Sequence, residues 1–537
     1  MPVRESARHV EKPQHKQYPA KPTTGRSSVA TCHPCSGTAD VLHYLLVGVA
    51  LVTSIRTRMV GLVWMIATAF IPLLVVVGTI KFDAGGKLFT GVAALALAIG
   101  ALSRPRLALY GVVVIACVTR DLDVLGLQLD LASAGLLIFA PALKKTWTIR
   151  EIPKAFRYTA AFIVLGHLFS AFDSMSVDSA LWGATRWLLV LNWATALYVY
   201  FATGGQRELR RAATGVALVG GVVAAVGWMQ MRGMYLPFIG APYADRPDST
   251  FGYYSNYANF VAIAAVIAFG ITLEWLRQRR LGIALVTFGC FGIAAYEVVA
   301  AASRGAVILA LTALGALVAL TIRRPGRTVT YSISIAAGAA LLYAVIPAEV
   351  LSELLDRFDS TQGGDRVRYA LEGAGQLMLQ QHPLGIGFES FAIYTRMGLP
   401  GATVALAHAH DLYVQVGLDG GWLGLAGFVL IAGVALWRGT VAGLVSGGSA
   451  TQGLFAVVLL GSLVQGVNDY FFFETGSLLY FVLLIVGASA PRVEPSTASG
   501  EEDWEPDCEQ RSGRADQSEN EASRLDHRAV SEASPRG

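Results

Sequence analysis

Long apolar runs separated by short polar loops dominate the chain. The run 59–79 is long enough to cross about 30 Å of hydrocarbon at about 1.5 Å per residue, whereas the run 41–55 is short for a span. Further candidate spans follow at 88–103, 107–119, 124–143, 158–172, 187–203, 212–228, 255–275, 281–300, 305–322, 329–347, 411–437, 451–468 and 475–490. This pattern predicts an all-α, polytopic integral membrane protein with about 12–14 transmembrane helices, since the shortest runs count only in part.

Composition supports the same class. Of the 537 residues, 54% are hydrophobic and 15% are charged, against about 25% charged in ordinary soluble proteins. These values exclude a soluble multidomain protein and a disordered or fibrous chain.

The charges mark the ends and the sidedness of the chain. Residues 1–40 are polar and lack the apolar core of a cleavable signal peptide, so we expect a disordered N-terminal segment. Residues 491–537 hold six arginines and twelve acidic residues, which predicts an acidic, disordered cytoplasmic tail. Between them, 41–490 forms the predicted transmembrane domain, in which short basic clusters fix alternate loops inside and leave 348–410 as a long outer loop. Basic residues scattered over separate loops do not supply a nucleic-acid-binding face.

The outer loop 348–410 carries most of the chemical information. The stretch that begins Gly364-Asp365-Arg366 has apolar residues at helical spacing and ends at Pro383, which predicts an amphipathic helix against the membrane domain. At the end of the loop, His408-Ala409-His410-Asp411 is followed by nine residues and then by Gly421-x-x-Gly424.

This last pattern resembles a motif of the O-antigen ligase family, which also includes O-antigen polymerase-like and oligosaccharyltransferase-like members. The family usually has Asn or a similar polar residue where this chain has Asp411. Three other stretches resemble the family in the same order, and together with the first they cover roughly residues 240–425: Arg246 through Phe251-Gly252 to Asn256, Ser303-Arg304-Gly305, and Gly364-Asp365-Arg366 through His382-Pro383-Leu384-Gly385-Ile386-Gly387.

The residue types suit transfer from a lipid-linked donor. Nucleotide sugars are absent outside the cytoplasmic membrane, whereas a glycan on a polyprenyl diphosphate already contains its leaving group. Attack by an acceptor hydroxyl needs a base, and histidine titrates near pH ~6.5. The departing diphosphate needs positive charge, and the planar guanidinium of arginine grips phosphate oxygens.

The resemblance implies roles for particular residues. His410 would activate the acceptor hydroxyl, and Arg304 and Arg366 would bind the diphosphate. Further substrate-binding residues would be Arg368, Arg246, Asn256 and His408. The implied fold is GT-C-like, and the implied reaction inverts the anomeric centre without a metal or cofactor. A metal-binding interpretation of Asp121-Leu122-Asp123 stays open, but a short solvated turn is favoured because paired carboxylates alone are a weak signal.

The resemblance also implies a place and partners. We expect a multi-pass protein of the bacterial inner membrane whose site faces the periplasm. Its partners would be a polyprenyl-diphosphate-linked glycan, lipid A-core or another glycan acceptor, and membrane lipids. A polymerase of O-antigen or exopolysaccharide is the nearest alternative, and a glycan transporter is a further one. A single dominant outer loop favours the ligase, and motifs at the outer edge rather than the midplane argue against the transporter.

Overall fold

The computed structural model describes most of the chain between residues 105 and 491. The described ranges are 105–117, 121–124, 127–144, 152–234, 246–251, 253–322, 324–359, 363–398, 408–444, 450–472 and 474–491. The predicted segment 1–40, the predicted spans within 41–103 and nearly all of the predicted tail 491–537 lie outside the described residues.

Helices account for nearly all regular structure in the described ranges. They are α1 (Pro105–Ile115), α2 (Leu131–Lys144), α3 (Lys154–Ser170), α4 (Val177–Met231), α5 (Tyr254–Arg277), α6 (Leu281–Ala300), α7 (Arg304–Thr321), α8 (Pro325–Val345), α9 (Ala348–Asp359), α10 (Gly363–Gln381), α11 (Phe391–Gly398), α12 (Leu412–Leu444), α13 (Ala450–Gly466) and α14 (Thr475–Ser489). Six of these, α4 to α8 and α12, are long and apolar enough to cross a membrane, and α13 and α14 are shorter apolar helices. The predicted class, an all-α polytopic membrane protein, is confirmed; the total of 12–14 spans stays a prediction because part of it falls outside the described ranges.

Helix α4 covers two predicted spans, 187–203 and 212–228, and its chain reverses between them. The backbone leaves the helical region at Gly205 (φ 57°, ψ −149°). The hydroxyl of Tyr200 donates to the carboxylate of Glu208, although eight residues of straight helix would separate them by about 12 Å. Arg186, in the first half, donates to the loop before α14, and Gly227, in the second half, packs against the first turn of α5. The two halves are therefore separate, antiparallel segments, as the apolar runs predicted.

A β-hairpin occupies a segment that was predicted to be helical in part. Strands β1 (Asp121–Val124) and β2 (Leu127–Asp130) pair antiparallel, with Asp121 opposite Asp130. The predicted span 124–143 therefore starts late, at Leu131, and the aspartates at 121 and 123 lie in a strand rather than in a solvated turn. The reason is a period of two in the sequence, since polar and apolar residues alternate on both sides of Gly126.

The bundle is built around helices that are apolar on every side. Almost all residues of α5, α13 and α14 are buried, and α5 packs against α4, α6, α7 and α13. By contrast, only 6% of the residues in the apolar 18-residue stretch of α8 are buried, against 83% of those in the corresponding stretch of α5. A helix that is apolar but uncovered by protein belongs against lipid, so α8 lies at the edge of the bundle.

The chain between α10 and α11 inserts into a break in α12. Helix α10 ends at Gln381, two residues before Pro383, the proline that was predicted to end it. At Gly421 the backbone of α12 turns to φ 66°, so the helical bond from Trp422 N–H to the Leu418 carbonyl is lost. Instead, Trp422 N–H donates to the Pro383 carbonyl at 3.1 Å, and the Leu418 carbonyl accepts from Ile386 N–H at 2.6 Å. The two glycine-containing sequence motifs therefore form one structural unit.

Candidate active site

His410 lies directly before the N-terminus of α12. The next residue, Asp411, caps this helix, because its Oδ1 accepts from Val414 N–H at 2.8 Å. Asparagine and aspartate are about equally good helix caps. The replacement of the family's usual residue by Asp411 therefore preserves the start of the helix.

The backbone at His410 is held in the left-handed region, with φ 56°. Non-glycine residues rarely adopt this conformation, and it persists where the surroundings fix it, often at functional sites. Here Ala409 N–H donates to Gln415 Oε1 at 2.8 Å, and His410 N–H donates to His408 Nδ1 at 3.3 Å. These bonds fix the direction in which the His410 ring leaves the chain.

The ring of His410 meets a carboxylate from another part of the chain. Its Nδ1 lies 3.2 Å from Oδ1 of Asp469, in the loop between α13 and α14. Asp469 is itself fixed, since its Oδ2 accepts from Ser255 Oγ at 2.9 Å and its Oδ1 from Tyr470 N–H at 3.0 Å. When Nδ1–H donates to Asp469, Nε2 of His410 keeps the lone pair that a base needs.

The charge on Asp469 is favoured by its partners. Burial alone would raise the pKa of this carboxyl, but the hydrogen bond from His410 and the neighbouring His408 and Arg368 hold the pKa below its usual value. Asp469 is therefore ionised at neutral pH and can stabilise a proton taken up by His410.

His408 completes the cluster as a neutral imidazole. Its ring centroid lies 4.2 Å from that of His410 and 5.5 Å from that of Tyr470. Burial, together with the charges of His410 and Arg368, lowers the pKa of His408 to about 4, although Asp469 acts in the opposite direction. His408 supports His410 and does not compete with it for a proton.

A buried network extends the cluster into the bundle. The Tyr470 hydroxyl lies 3.4 Å from Oδ2 of Asp419, and Oδ1 of Asp419 accepts from Gln415 Nε2 at 2.7 Å. Because Gln415 also holds Ala409, this network connects both sides of the His410 turn. Asp419, an acidic residue in an apolar run with no role assigned from sequence, is thus part of the support of the site.

The two arginines of α10 differ in their relation to the cluster. Arg368 is half-buried, and its charge acts on both His408 and Asp469. Arg366 is exposed, and no hydrogen bond or ion pair joins it to another described residue. Two residues along a helix point about 200° apart, so both side chains cannot face one site. Of the two arginines, Arg368 is the one whose charge reaches His408 and Asp469, although the resemblance gave Arg366 the larger role.

Arg304 is the first residue of α7. Ser303 caps this helix by accepting from Ala306 N–H at 3.4 Å. The Arg304 guanidinium donates to the backbone carbonyl of Arg357, near the end of α9, at 3.2 Å. To bind a diphosphate, Arg304 would exchange this carbonyl for phosphate oxygens.

Arg246 and Asn256 lie beside the start of α5. The Arg246 guanidinium sits 4.6 Å above the ring of Tyr254, a cation–π contact. Asn256 is buried and follows Ser255, whose hydroxyl binds Asp469. Both predicted binding residues are therefore near the His410–Asp469 pair, at the same end of the bundle.

Sequence reasoning missed Asp469. It stands 59 residues after His410, and no local motif marks it. The available signal was weak: a carboxylate directly after the apolar run 451–468.

The side chains of His408, His410 and Asp469 are of the types that bind metal ions. Ligand atoms of His408, His410 and Asp469 all lie within 4.8 Å of one another. Tetrahedral zinc, with bonds of about 2.0–2.1 Å, would draw its ligands to roughly 3.4 Å apart. The positive charge of Arg368 on His408 and Asp469 opposes a cation here. A reaction without a metal stays a prediction.

Fold and site together define a polytopic helical membrane protein with a histidine–carboxylate pair at one end of its bundle. Residues 289–429 match the family model described as O-antigen ligase, so the resemblance to this family is confirmed over that segment. The matched segment contains Arg304, Arg366, Arg368 and His410, whereas Arg246, Asn256 and Asp469 lie outside it. No curated protein matches the chain.

Proposed function

We propose that this chain is a glycan ligase that moves a polyprenyl-diphosphate-linked polysaccharide to an acceptor hydroxyl at the periplasmic face of the bacterial inner membrane. The acceptor is lipid A-core or a comparable glycan. The observation that carries the proposal is the contact of 3.2 Å between His410 Nδ1 and Asp469 Oδ1, at the end of a segment that matches the O-antigen ligase family.

The reaction follows from the chemistry of this pair. The acceptor hydroxyl attacks the anomeric carbon and gives its proton to Nε2 of His410, while the carbon–oxygen bond to the diphosphate breaks. Attack opposite the leaving group inverts the anomeric centre. Asp469 stabilises the imidazolium that forms, and it also keeps the ring in the tautomer that accepts at Nε2.

Arginines neutralise the departing diphosphate. Arg368 is near the base, while Arg304 and Arg366 lie at the ends of α7 and α10. Each guanidinium is planar and permanently charged, and it can donate two parallel hydrogen bonds to the oxygens of one phosphate. Because Arg366 and Arg368 cannot both face one site, Arg304 and one of these two can supply the positive charge for which other transferases use a divalent ion, so the proposed reaction needs no metal.

Deletion of the gene tests the proposed function. We expect long glycan to remain on the lipid carrier and to be missing from lipid A-core, as measured on gels of lipopolysaccharide and on the extracted lipid-linked pool. Single repeat units attached to core would support the polymerase instead. With purified protein in liposomes, a change only in the sidedness of the lipid-linked glycan, without joining of donor to acceptor, would support the transporter.

Complementation with His410→Ala tests the site. We expect wild-type levels of protein in the membrane and at least about a hundredfold loss of transfer, because general bases contribute about 10²–10⁴-fold. The matched control is His382→Ala, since His382 also pairs with an aspartate, Asp173, at 2.8 Å. Undiminished transfer by His410→Ala would refute the mechanism.

A further inference from the structure

Two buried amide side chains lie beside the contact that ties α5 to the loop after α13. That contact is the hydrogen bond of 2.9 Å from Ser255 to Asp469. Asn259 follows Ser255 by four residues on α5, and Gln465 precedes Asp469 by four residues in the last turn of α13. Residues four apart share one side of a helix. Asn259 therefore lies about one turn further along α5 than Ser255, and Gln465 lies in the last turn of α13, just before the turn 467–468 that leads to Asp469.

Both amides are buried without hydrogen-bond partners. Asn259 is 4% exposed and Gln465 is 1% exposed. The oxygen and the nitrogen of each side chain lack a partner among the described residues. Buried polar groups are almost always paired, because an unpaired group loses its hydration and gains nothing in return. Unpaired atoms on two amides near one catalytic pair point to a ligand that pairs them.

Gln465 also lies against the arginine motif of α7. Its Nε2 is 3.0 Å from the position that a Cβ on Gly305 would occupy, and Gly305 follows Arg304. A larger residue at 305 would press on this amide. Gln465 thus contacts the residue that follows Arg304, which the proposed function assigns to the diphosphate, and it lies at the end of α13 from which the chain leads to Asp469.

The chemistry of the unpaired atoms selects the ligand. Ionised phosphate oxygens only accept hydrogen bonds, so the two amide oxygens would repel a diphosphate placed against them. A sugar hydroxyl both donates and accepts, as an amide side chain does. Two amides with two acceptor oxygens and two donor nitrogens match neighbouring hydroxyls on a sugar ring.

We propose that Asn259 and Gln465 form a subsite that binds hydroxyl groups of the sugar ring next to the reacting bond. This inference rests on the proposed function, and the ring is either the first sugar of the lipid-linked donor or the terminal sugar of the acceptor. Substitution of either amide therefore weakens binding of one substrate without weakening the fold.

The test compares Gln465→Leu and Asn259→Leu with a matched control in the full-length protein. The control is Gln452→Leu, in the same helix as Gln465 but near its other end. The amide nitrogen of Gln452, unlike that of Gln465, is paired, because its Nε2 donates to the carbonyls of Ala488 at 2.9 Å and Ala490 at 2.8 Å. Transfer is measured in liposomes with a polyprenyl-diphosphate-linked oligosaccharide and purified lipid A-core, and stability is measured as Tm.

We expect Gln465→Leu and Asn259→Leu to melt no lower than wild type, because each removes unpaired buried atoms. Each should raise KM for one substrate about tenfold, the effect of losing roughly one strong hydrogen bond. Gln452→Leu should do the reverse, with a lower Tm and unchanged KM. A rise in KM for the lipid-linked oligosaccharide assigns the ring to the donor, and a rise for lipid A-core assigns it to the acceptor.

Unchanged KM for both substrates, with active wild-type protein, would overturn the subsite and leave the proposed function standing. A loss of kcat alone would also overturn it. If wild type transfers no glycan, the proposed function fails. The subsite is then judged by Tm: it stands if the lipid-linked oligosaccharide or lipid A-core raises the Tm of wild type but not of Gln465→Leu, and it falls otherwise.

Discussion

Asp469→Asn is the sharpest test of how the site works, because it removes one charge and keeps the shape. The asparagine oxygen can still accept from Tyr470 N–H, and its amide can donate to the oxygen of Ser255. What is lost is the attraction between the carboxylate and protonated His410. For unit charges 3.2 Å apart, Coulomb's law gives about 5 kcal/mol at an effective dielectric constant of about 20.

Water reduces this value, since the His410 and Asp469 side chains are 18% and 13% exposed. We therefore expect a net loss of about 3 kcal/mol in the transition state, which lowers kcat on the order of 100-fold. The acid limb of the pH–rate profile should move to lower pH, because the protonated imidazole has lost its partner.

The assay is transfer in liposomes at saturating substrate, over a range of pH. The control is Asp173→Asn, which neutralises the carboxylate of the other histidine–aspartate pair, at His382. We expect it to change kcat less than about threefold, because exposed pairs contribute little. If Asp469→Asn kept kcat within threefold of wild type with an unmoved acid limb, Asp469 would not position the base.

Two further variants test the surroundings of the site. The folded pKa of His408 is about 4, against 6.5 for an ordinary histidine, so between these pH values the unfolded chain binds more protons and the free energy of unfolding falls as the pH drops. His408→Gln should remove up to about 3 kcal/mol of this pH dependence, measured in melts at pH 4.5 and 7.5. An unchanged dependence of stability on pH would contradict a neutral His408 in the folded protein. At Gly421 an added Cβ would lie 2.5 Å from the carbonyl carbon of Leu384, at a positive φ, so Gly421→Ala should lose roughly 2–4 kcal/mol. Gly433→Ala, in the same helix with nothing within 4 Å, should stay within about 1 kcal/mol of wild type, and equal Tm for the two variants would refute the close fit at Gly421.

The spans of this fold could be predicted because they depend on local composition. A run of apolar residues long enough to cross the membrane forms a helix whatever its neighbours are. This is why the two halves of α4 were recognised as separate spans. The hairpin at 121–130 was missed because its strands are short and sit between apolar runs. In this segment the alternation of polar and apolar residues, rather than the mean hydropathy, determined the secondary structure.

The site could be predicted only where its contacts are local. His410 was found from a motif within one segment, and Asp411 acts on the same turn. The pairing with Asp469 depends on how α12, α13 and α5 pack, which no spacing reports. The choice of Arg368 over Arg366 depends on the rotation of α10 about its axis, and the sequence fixes the spacing of these arginines but not that rotation.

The break in α12 explains why spacing carries so much of the sequence signal. Nine residues, or about 13 Å of helix, separate the cap at Asp411 from the break at Gly421. The cap fixes His410 against Asp469, and the break fixes α12 against the loop that begins at Pro383. One residue more or less would rotate the two ends by about 100° relative to each other. His410 could then face Asp469 only if the hydrogen bonds between the break in α12 and the loop at Pro383 were lost. The nine-residue distance between the two motifs is therefore required for the His410–Asp469 contact.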